Sequence, residues 1–334
     1  MRHKRAQTVA AAVFVLMAGC APDQSSLDLP PTSADEAIIA WPTSPFVYVL
    51  GTVQDGGLPH AGCSGDRCES ARQRPDQRRH VASIALVLPT ANQVFLFDAT
   101  PDLNHQIYQL REFRTGPRKR VDRSPVDGIF LTHAHIGHYL GLAFLGFEVM
   151  NTHQLRVMAT PKMAQFLRNN GPWSQLVELE NIRIDEVDPG ESVHLPDSVV
   201  VTAFSAPHRD EYADTLGFVI EGPERSLLYL PDTDSWSAWQ TPVAEFLGQV
   251  DIALIDGSFY STDELPGRSI ESIGHPLIPT SMDLFQDLVD RSQTEIFFTH
   301  LNHSNDALDQ DSTARDEIRQ RGFEVLEEGQ RFSL

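Results

Sequence analysis

Short apolar runs alternate along the chain with stretches whose apolar residues recur every three or four positions. "FVYVLG" (46–51), "SIALVL" (83–88) and "VFLFDA" (94–99) are apolar and β-branched, and read as three successive strands. "PDLNHQIYQLREF" (101–113) follows, with Pro101 at a helix start and Leu103, Ile107 and Leu110 on one face. "DGIFLTH" (127–133) is a buried strand, and "GHYLGLAFLGFEVMN" (137–151) reads as a helix with a broad apolar face. Strand, helix and strand continue through "LRVMAT" (155–160), "PKMAQFLRNN" (161–170) and "IRIDEV" (182–187). "SVVVTAFSAPH" (198–208), "DTLGFVIEG" (214–222) and "RSLLYLPDTD" (225–234) give three more strands. A strand in "VDIALIDGS" (250–258), a helix in "IPTSMDLFQDLVDRS" (278–292) and a strand in "TEIFFTHLNH" (294–303) lead to the closing "GFEVLEEGQRFSL". Strands first, then strands with interposed helices, with polar residues at strand ends, predict a layered α/β sandwich. No G-x-G-x-x-G follows the first strand, so a dinucleotide fold is not supported.

The first 44 residues break this pattern. "MRHKR" is a basic leader, and "VAAAVFVLMAGC" is an apolar run too short to span a bilayer, ending in small residues and Cys20. Small residues before a Cys resemble the lipobox of bacterial lipoproteins. That resemblance implies a signal peptide over 1–19, lipidation of Cys20 and an exported protein. With Ala21 after the Cys, it implies attachment on the periplasmic side of the outer membrane. The rest of 20–44 is rich in Pro, Ser and Asp and reads as a flexible tether. A single domain is expected over 45–334.

Acidic residues outnumber basic ones 46 to 26, for a formal net charge of −20. This argues against a nucleic-acid partner, because phosphate backbones need Lys/Arg-rich faces. A small-molecule substrate, even an anionic one, is compatible with it, since a bound metal reverses the local field.

The chemistry lies in the histidines. The chain has 13, and His133, His135, His138, His208, His300 and His303 all fall just after predicted strands. An apolar strand delivers its last residues to the rim of a sheet, where loops converge on a cleft. His133 and His135 are two apart and face one side of an extended segment. Gathered imidazoles repel one another when protonated, and a metal is the usual reason to gather them. Asp232 ends "LLYLPD", where a carboxylate could bridge two metals.

These residues resemble the metallo-β-lactamase superfamily. "THAHIGH" is similar to its H-x-H-x-D-H motif, and His208 in "SAPHRD", Asp232 in "YLPDTD" and His300 in "FFTHLNHS" fall in the order of its later ligand motifs. The resemblance covers nearly everything from Phe46 to the C-terminus and implies an αββα sandwich with metals at the strand ends. Within the superfamily the chain resembles the pyrroloquinoline-quinone biosynthesis protein B group, through "LGTVQDGGLPHAGC", "LTHAHIGHYLGLAFLGFEVMNT", "GHPLIPTS" and "THLNHSN". That group lacks the first two histidines and keeps Asp-His. This chain has His133 and His135 but Gly137, and it carries an export signal, so it reads as an exported relative.

The resemblance implies one metal on His133, His135 and His208, a second on His138 and His300, and Asp232 between them. Gly137 removes an anionic ligand from the second position only. An asymmetric zinc centre is therefore expected, with one firm site and one weakened, and with iron or manganese as alternative metals. Metal-activated hydrolysis of an ester or phosphodiester-type bond is the expected reaction. Asp232 would orient the nucleophile, His275 would protonate the leaving group or bind substrate, and Asp55 would stand behind the ligands. Two alternatives stay open: an iron-dependent oxygenase, which histidines plus one carboxylate also suit, and a non-catalytic envelope binding protein. Cys63 and Cys68 form a disulfide by default in an exported chain. A phosphodiesterase branch of the superfamily implies instead a structural zinc on Cys63, Cys68 and His303, with His60 or Asp66 as a fourth ligand.

Overall fold

Residues 42–114, 124–264, 267 and 274–334 are described by the computed structural model. The signal peptide, Cys20 and most of the tether lie outside the described residues. The first half builds β1 (Phe46–Gly51), α1 (Asp66–Gln73), β2 (Ser83–Leu88), β3 (Gln93–Phe97), α2 (Leu103–Gln109), β4 (Gly128–Phe130), α3 (Ile136–Tyr139), β5 (Leu155–Ala159), α4 (Pro161–Asn169), α5 (Trp173–Glu178) and β6 (Ile182–Glu186). The second half builds β7 (Ser192–His194), β8 (Val200–Ser205), β9 (Leu216–Glu221), β10 (Ser226–Leu230), α6 (Val243–Leu247), β11 (Ile252–Asp256), α7 (Ile278–Asp290), β12 (Glu295–Thr299), α8 (Thr313–Gln320) and β13 (Glu324–Val325). A final strand, β14 (Arg331–Ser333), returns to the edge of the first sheet beside β1.

Two seven-stranded sheets result, ordered β14-β1-β2-β3-β4-β5-β6 and β13-β12-β11-β10-β9-β8-β7. Alternate residues of each strand face opposite layers. Phe97 and Phe130 of the first sheet meet Phe218 of the second, with ring centroids 5.3 and 5.5 Å apart. Their neighbours Leu96 and Ile129 point the other way, into a core with Leu103 of α2 and Met163 and Leu167 of α4. Leu228, Leu230 and Ile255 pack on Met282 and Phe285 of α7 and Ile318 of α8. Each central strand is thus covered on both faces, which is why its sequence is a continuous apolar run and not an alternating one. Helix, sheet, sheet, helix is the expected αββα order.

The expectation of one helix over 137–151 fails. Helix α3 ends at Tyr139, and a 3₁₀ segment runs from Leu140 to Leu145. The Gly141 N–H donates to Ala99 O at 2.8 Å, so it is diverted from helical pairing. A Cβ on Gly141 would strike the Thr100 carbonyl and lie 2.9 Å from that of Ala99. The glycine allows this backbone-to-backbone approach, and the approach breaks the helix. Helices α1, α5, α6 and α8 and strand β7 were not expected from the sequence.

Strands β3 and β4 run parallel, as do β10, β11 and β12, so within each sheet their C-terminal ends share an edge. Asp98, His133, Asp232, Asp256 and His300 all sit at or just beyond those ends. Asp98 (φ 71°) and His300 (φ 61°) adopt the left-handed region, a conformation non-glycine residues hold only when their surroundings enforce it.

Candidate metal centre

At the shared edge, five histidines and one aspartate converge. His133, His138, His208, His300 and Asp232 are buried, and His135 is half-buried. Each imidazole spends one nitrogen on an outer partner and turns the other inward. His138 Nδ1–H donates to Asp98 Oδ2 at 2.7 Å. His208 Nδ1–H donates to Asp234 Oδ1 at 3.1 Å. His133 Nδ1 lies 2.9 Å from Thr132 Oγ1, whose hydroxyl is held by Asp98. His135 uses its Nε2 for Glu211, at 3.0 Å. His300 Nδ1 lies 3.1 Å from Ser258 Oγ. Outer partners of this kind fix the tautomer and aim of metal-ligating histidines.

The inward atoms form two neighbouring groups around Asp232. In the first, His133 Nε2 lies 2.9 Å from His135 Nδ1, and His208 Nε2 lies 3.1 Å from the same atom. Asp232 closes this group, with Oδ2 at 3.3 Å from His133 Nε2 and Oδ1 at 3.3 Å from His208 Nε2. All four ligand atoms fall within 4.8 Å of one another. In the second, His138 Nε2 and His300 Nε2 face Asp232 Oδ2 at 3.9 and 3.8 Å, and each lies 3.6 Å from Asp55 Oδ1. Both nitrogens are buried and make no hydrogen bond among the described residues. Buried polar atoms without partners are rare and need a reason. A divalent cation at each group would give one: three imidazoles and a carboxylate are a complete catalytic set for zinc.

The charge balance agrees. Burial holds His133 well below the usual imidazole range, and the neighbouring His138 adds to this, which leaves its imidazole neutral, the form a metal would need. Burial also opposes the charge on His138, but the carboxylates of Asp98, Asp55 and Asp232 outweigh it and raise its pKa to about 9. Burial would raise Asp232, yet His275, His300, His133 and His135 hold it well below the carboxylate range.

His275 is no solvated loop histidine. Its Nδ1 lies 2.7 Å from Asp256 Oδ2 and 3.2 Å from Asp232 Oδ1. Against the cost of burial, those two carboxylates raise its pKa to about 9. A cavity of about 480 Å³ reaches Pro207, the residue before His208, and Asp210, and is walled by Phe204, Trp239 and Phe246.

His303 is not in this centre. It sits with Cys63 and Cys68, and its ring stacks on His60 with centroids 4.1 Å apart. Cys63 and Cys68 are joined in a disulfide. Oxidised sulfurs are not thiolate ligands, so a zinc on Cys63, Cys68 and His303, whose ligand atoms lie within 4.8 Å of one another, would require this bond to be reduced. Sequence reasoning missed the outer partners Asp98, Asp234, Glu211, Asp256 and Ser258. Two carried a signal: "FLFDA" and "LIDGS" end apolar strands in a carboxylate, as "LYLPD" does.

Residues 93–301 match a beta-lactamase superfamily domain. The coenzyme PQQ synthesis protein B of Methylorubrum extorquens is 24% identical over 86% of this chain and 99% of its own length. That of Azotobacter vinelandii is 27% identical with the same coverage. Zn(2+)-bound PqqB from Methylobacterium extorquens superposes with a TM-score of 0.72 at 24% identity, covering 86% of this chain and 100% of that one. A diphosphatase of the PhnP family superposes with a TM-score of 0.58 at 21% identity, covering 87% and 97%. These structural likenesses bear on the fold.

Proposed function

Because the chain belongs to the metallo-β-lactamase superfamily, we propose that it is a metal-dependent hydrolase acting on an ester or phosphodiester-type bond of a small molecule. The observation that carries this reading is the placing of Asp232. Its buried carboxylate lies 3.2 to 4.0 Å from nitrogens of six histidines, one oxygen toward His208 and His275 and the other toward His133, His135, His138 and His300. A carboxylate shared between two adjoining cation sites is the arrangement of two-metal hydrolysis.

His133, His135, His208 and Asp232 would hold one ion, and His138, His300 and Asp232 take part in the second. Zinc is the proposed metal, as in the PqqB of Methylobacterium extorquens, and manganese is the hydrolytic alternative. Such an ion, when bound, acidifies water and polarises the oxygen of the bond to be broken. The chain's own groups do the rest. Asp232 accepts a hydrogen bond from the attacking water and orients it. His275, held at Nδ1 by Asp256 Oδ2, is the proposed proton donor to the leaving group. The cavity that reaches Pro207 admits an apolar substituent against Trp239 and Phe246. The leader ending in Cys20 supports placing this activity on the periplasmic side of the envelope, on a lipid anchor.

The test is activity on bis(p-nitrophenyl) phosphate and p-nitrophenyl acetate, with the metal content measured in parallel. Hydrolysis that a chelator removes, zinc restores and His133→Ala abolishes would support the reading. Iron as the resident metal, with substrate-dependent oxygen consumption and no hydrolysis, would replace it by the oxygenase reading.

A further inference from the structure

We propose that Asp55 supplies the carboxylate that the H-x-H-x-D-H pattern lacks at position 137, and so completes a second metal site with His138, His300 and Asp232. The inference rests on the metal-centre reading above and reverses the expectation that Gly137 leaves the second position poor in charge.

The geometry is reciprocal. A Cβ built on Gly137 would collide with the Asp55 carboxylate and lie 2.8 Å from the Asp55 Cα. The space that a side chain at 137 would enter is therefore already filled by an aspartate from another part of the chain. Asp55 Oδ1 stands 3.6 Å from His138 Nε2 and 3.6 Å from His300 Nε2, the two buried nitrogens that make no hydrogen bond among the described residues. These three ligand atoms lie within 4.8 Å of one another. Gly137 is thus a condition for Asp55 to approach, because any side chain there would push it out.

The loop carrying Asp55 is built for this position. Gln54 N–H donates to Leu301 O at 3.0 Å, and Leu301 N–H donates to Thr52 O at 3.0 Å. Val53 also bridges to Leu301. Gln54 Oε1 accepts from Asn302 Nδ2 at 2.5 Å, and Gln54 Nε2 donates to Ser258 Oγ at 3.1 Å. These bonds tie the end of β1 to Leu301 and Asn302, directly after His300, and to Ser258 just beyond β11. The turn closes with Gly57 N–H donating to Gln54 O at 2.8 Å, and Gly57 takes φ +68°, which glycine adopts without strain. "QDGG" is the sequence of that turn, and it presents Asp55 at the mouth of the centre with 35% of its side chain exposed.

The experiment is zinc binding to chelator-stripped protein, read as equivalents by elemental analysis and as affinities by calorimetry. Wild type should take up two equivalents. Asp55→Asn keeps the shape but not the charge, and should keep the first while the second weakens by at least about tenfold. Gly137→Ala removes no ligand, yet should lose the second equivalent as its Cβ displaces Asp55. The retained first equivalent reports that each variant is folded. Two equivalents of unchanged affinity in Asp55→Asn would overturn the inference, as would a single equivalent in wild type. No zinc in wild type would overturn the metal-centre reading with it.

Discussion

His138 donates its Nδ1 proton to Asp98 Oδ2 across 2.7 Å, and neither side chain has any exposure to solvent. Asp98 also accepts from the backbone N–H and the hydroxyl of Thr132, the residue before His133. One buried carboxylate therefore aims histidines of both proposed metal positions. Replacing Asp98 with Asn leaves the histidine without its charged partner. Breaking a buried pair from one side costs about 3–5 kcal/mol, and losing an outer partner weakens a metal site by about 10- to 100-fold. Denaturant unfolding and zinc titration of Asp98→Asn should show both losses. A variant within about 0.5 kcal/mol of wild type, with unaltered zinc affinity, contradicts the assigned role.

The raised pKa values of His138 and His275 predict how the metal-free protein responds to pH. Both move from 6.5 to about 9 on folding. A group raised in this way contributes stability that is fully present below pH 6.5 and is lost as pH rises through about 9. His133 shifts the opposite way, but its effect lies below pH 6.5 and leaves this window clear. The metal-free protein should therefore be more stable at pH 6.5 than at pH 9. Zinc competes with these protons, so its affinity should rise over the same interval, with proton release seen by calorimetry in buffers of different ionisation enthalpy. Stability that climbs from pH 6.5 to 9 without metal would count against the assignment.

His275, pinned between Asp256 and Asp232, is assigned to proton transfer and not to holding the first ion. His275→Asn should lower kcat by about 10²- to 10⁴-fold while the first equivalent of zinc stays bound. It should also remove the alkaline limb of the kcat profile. An unchanged kcat excludes His275 from the chemistry.

How far the sequence revealed all this depended on local chain physics. Strands β2, β3, β10 and β11 were readable because they are covered on both faces and so lack polar positions. Helices α1 and α8 were not, since "DRCESARQ" and "TARDEIRQ" bury little apolar surface and owe their shape to tertiary contacts. The ligand histidines stood out because three crowd into six positions after one strand. Asp98 and Asp256 were hidden as single carboxylates, although each ends an apolar run. Asp55 was visible only as a neighbour of the centre. Its approach to Gly137 joins residues 82 positions apart, which no local pattern encodes.

The Cys63–Cys68 disulfide closes a short loop beside His303. Chain-entropy reasoning gives it on the order of 2 kcal/mol. Thiol titration of the unfolded, unreduced chain should therefore find neither cysteine free, and reduction should lower the unfolding midpoint. Two free thiols released together with a zinc ion would restore the structural-zinc arrangement of Cys63, Cys68 and His303.

The central claim is that His133, His135, His208 and Asp232 hold a hydrolytic metal. Its most direct measurement is the metal content of protein purified without added metal, taken together with bis(p-nitrophenyl) phosphate hydrolysis by the same sample. The account predicts bound zinc or manganese and a rate that falls to background in His133→Ala as that metal is lost. Metal content and activity both unchanged in His133→Ala would contradict it.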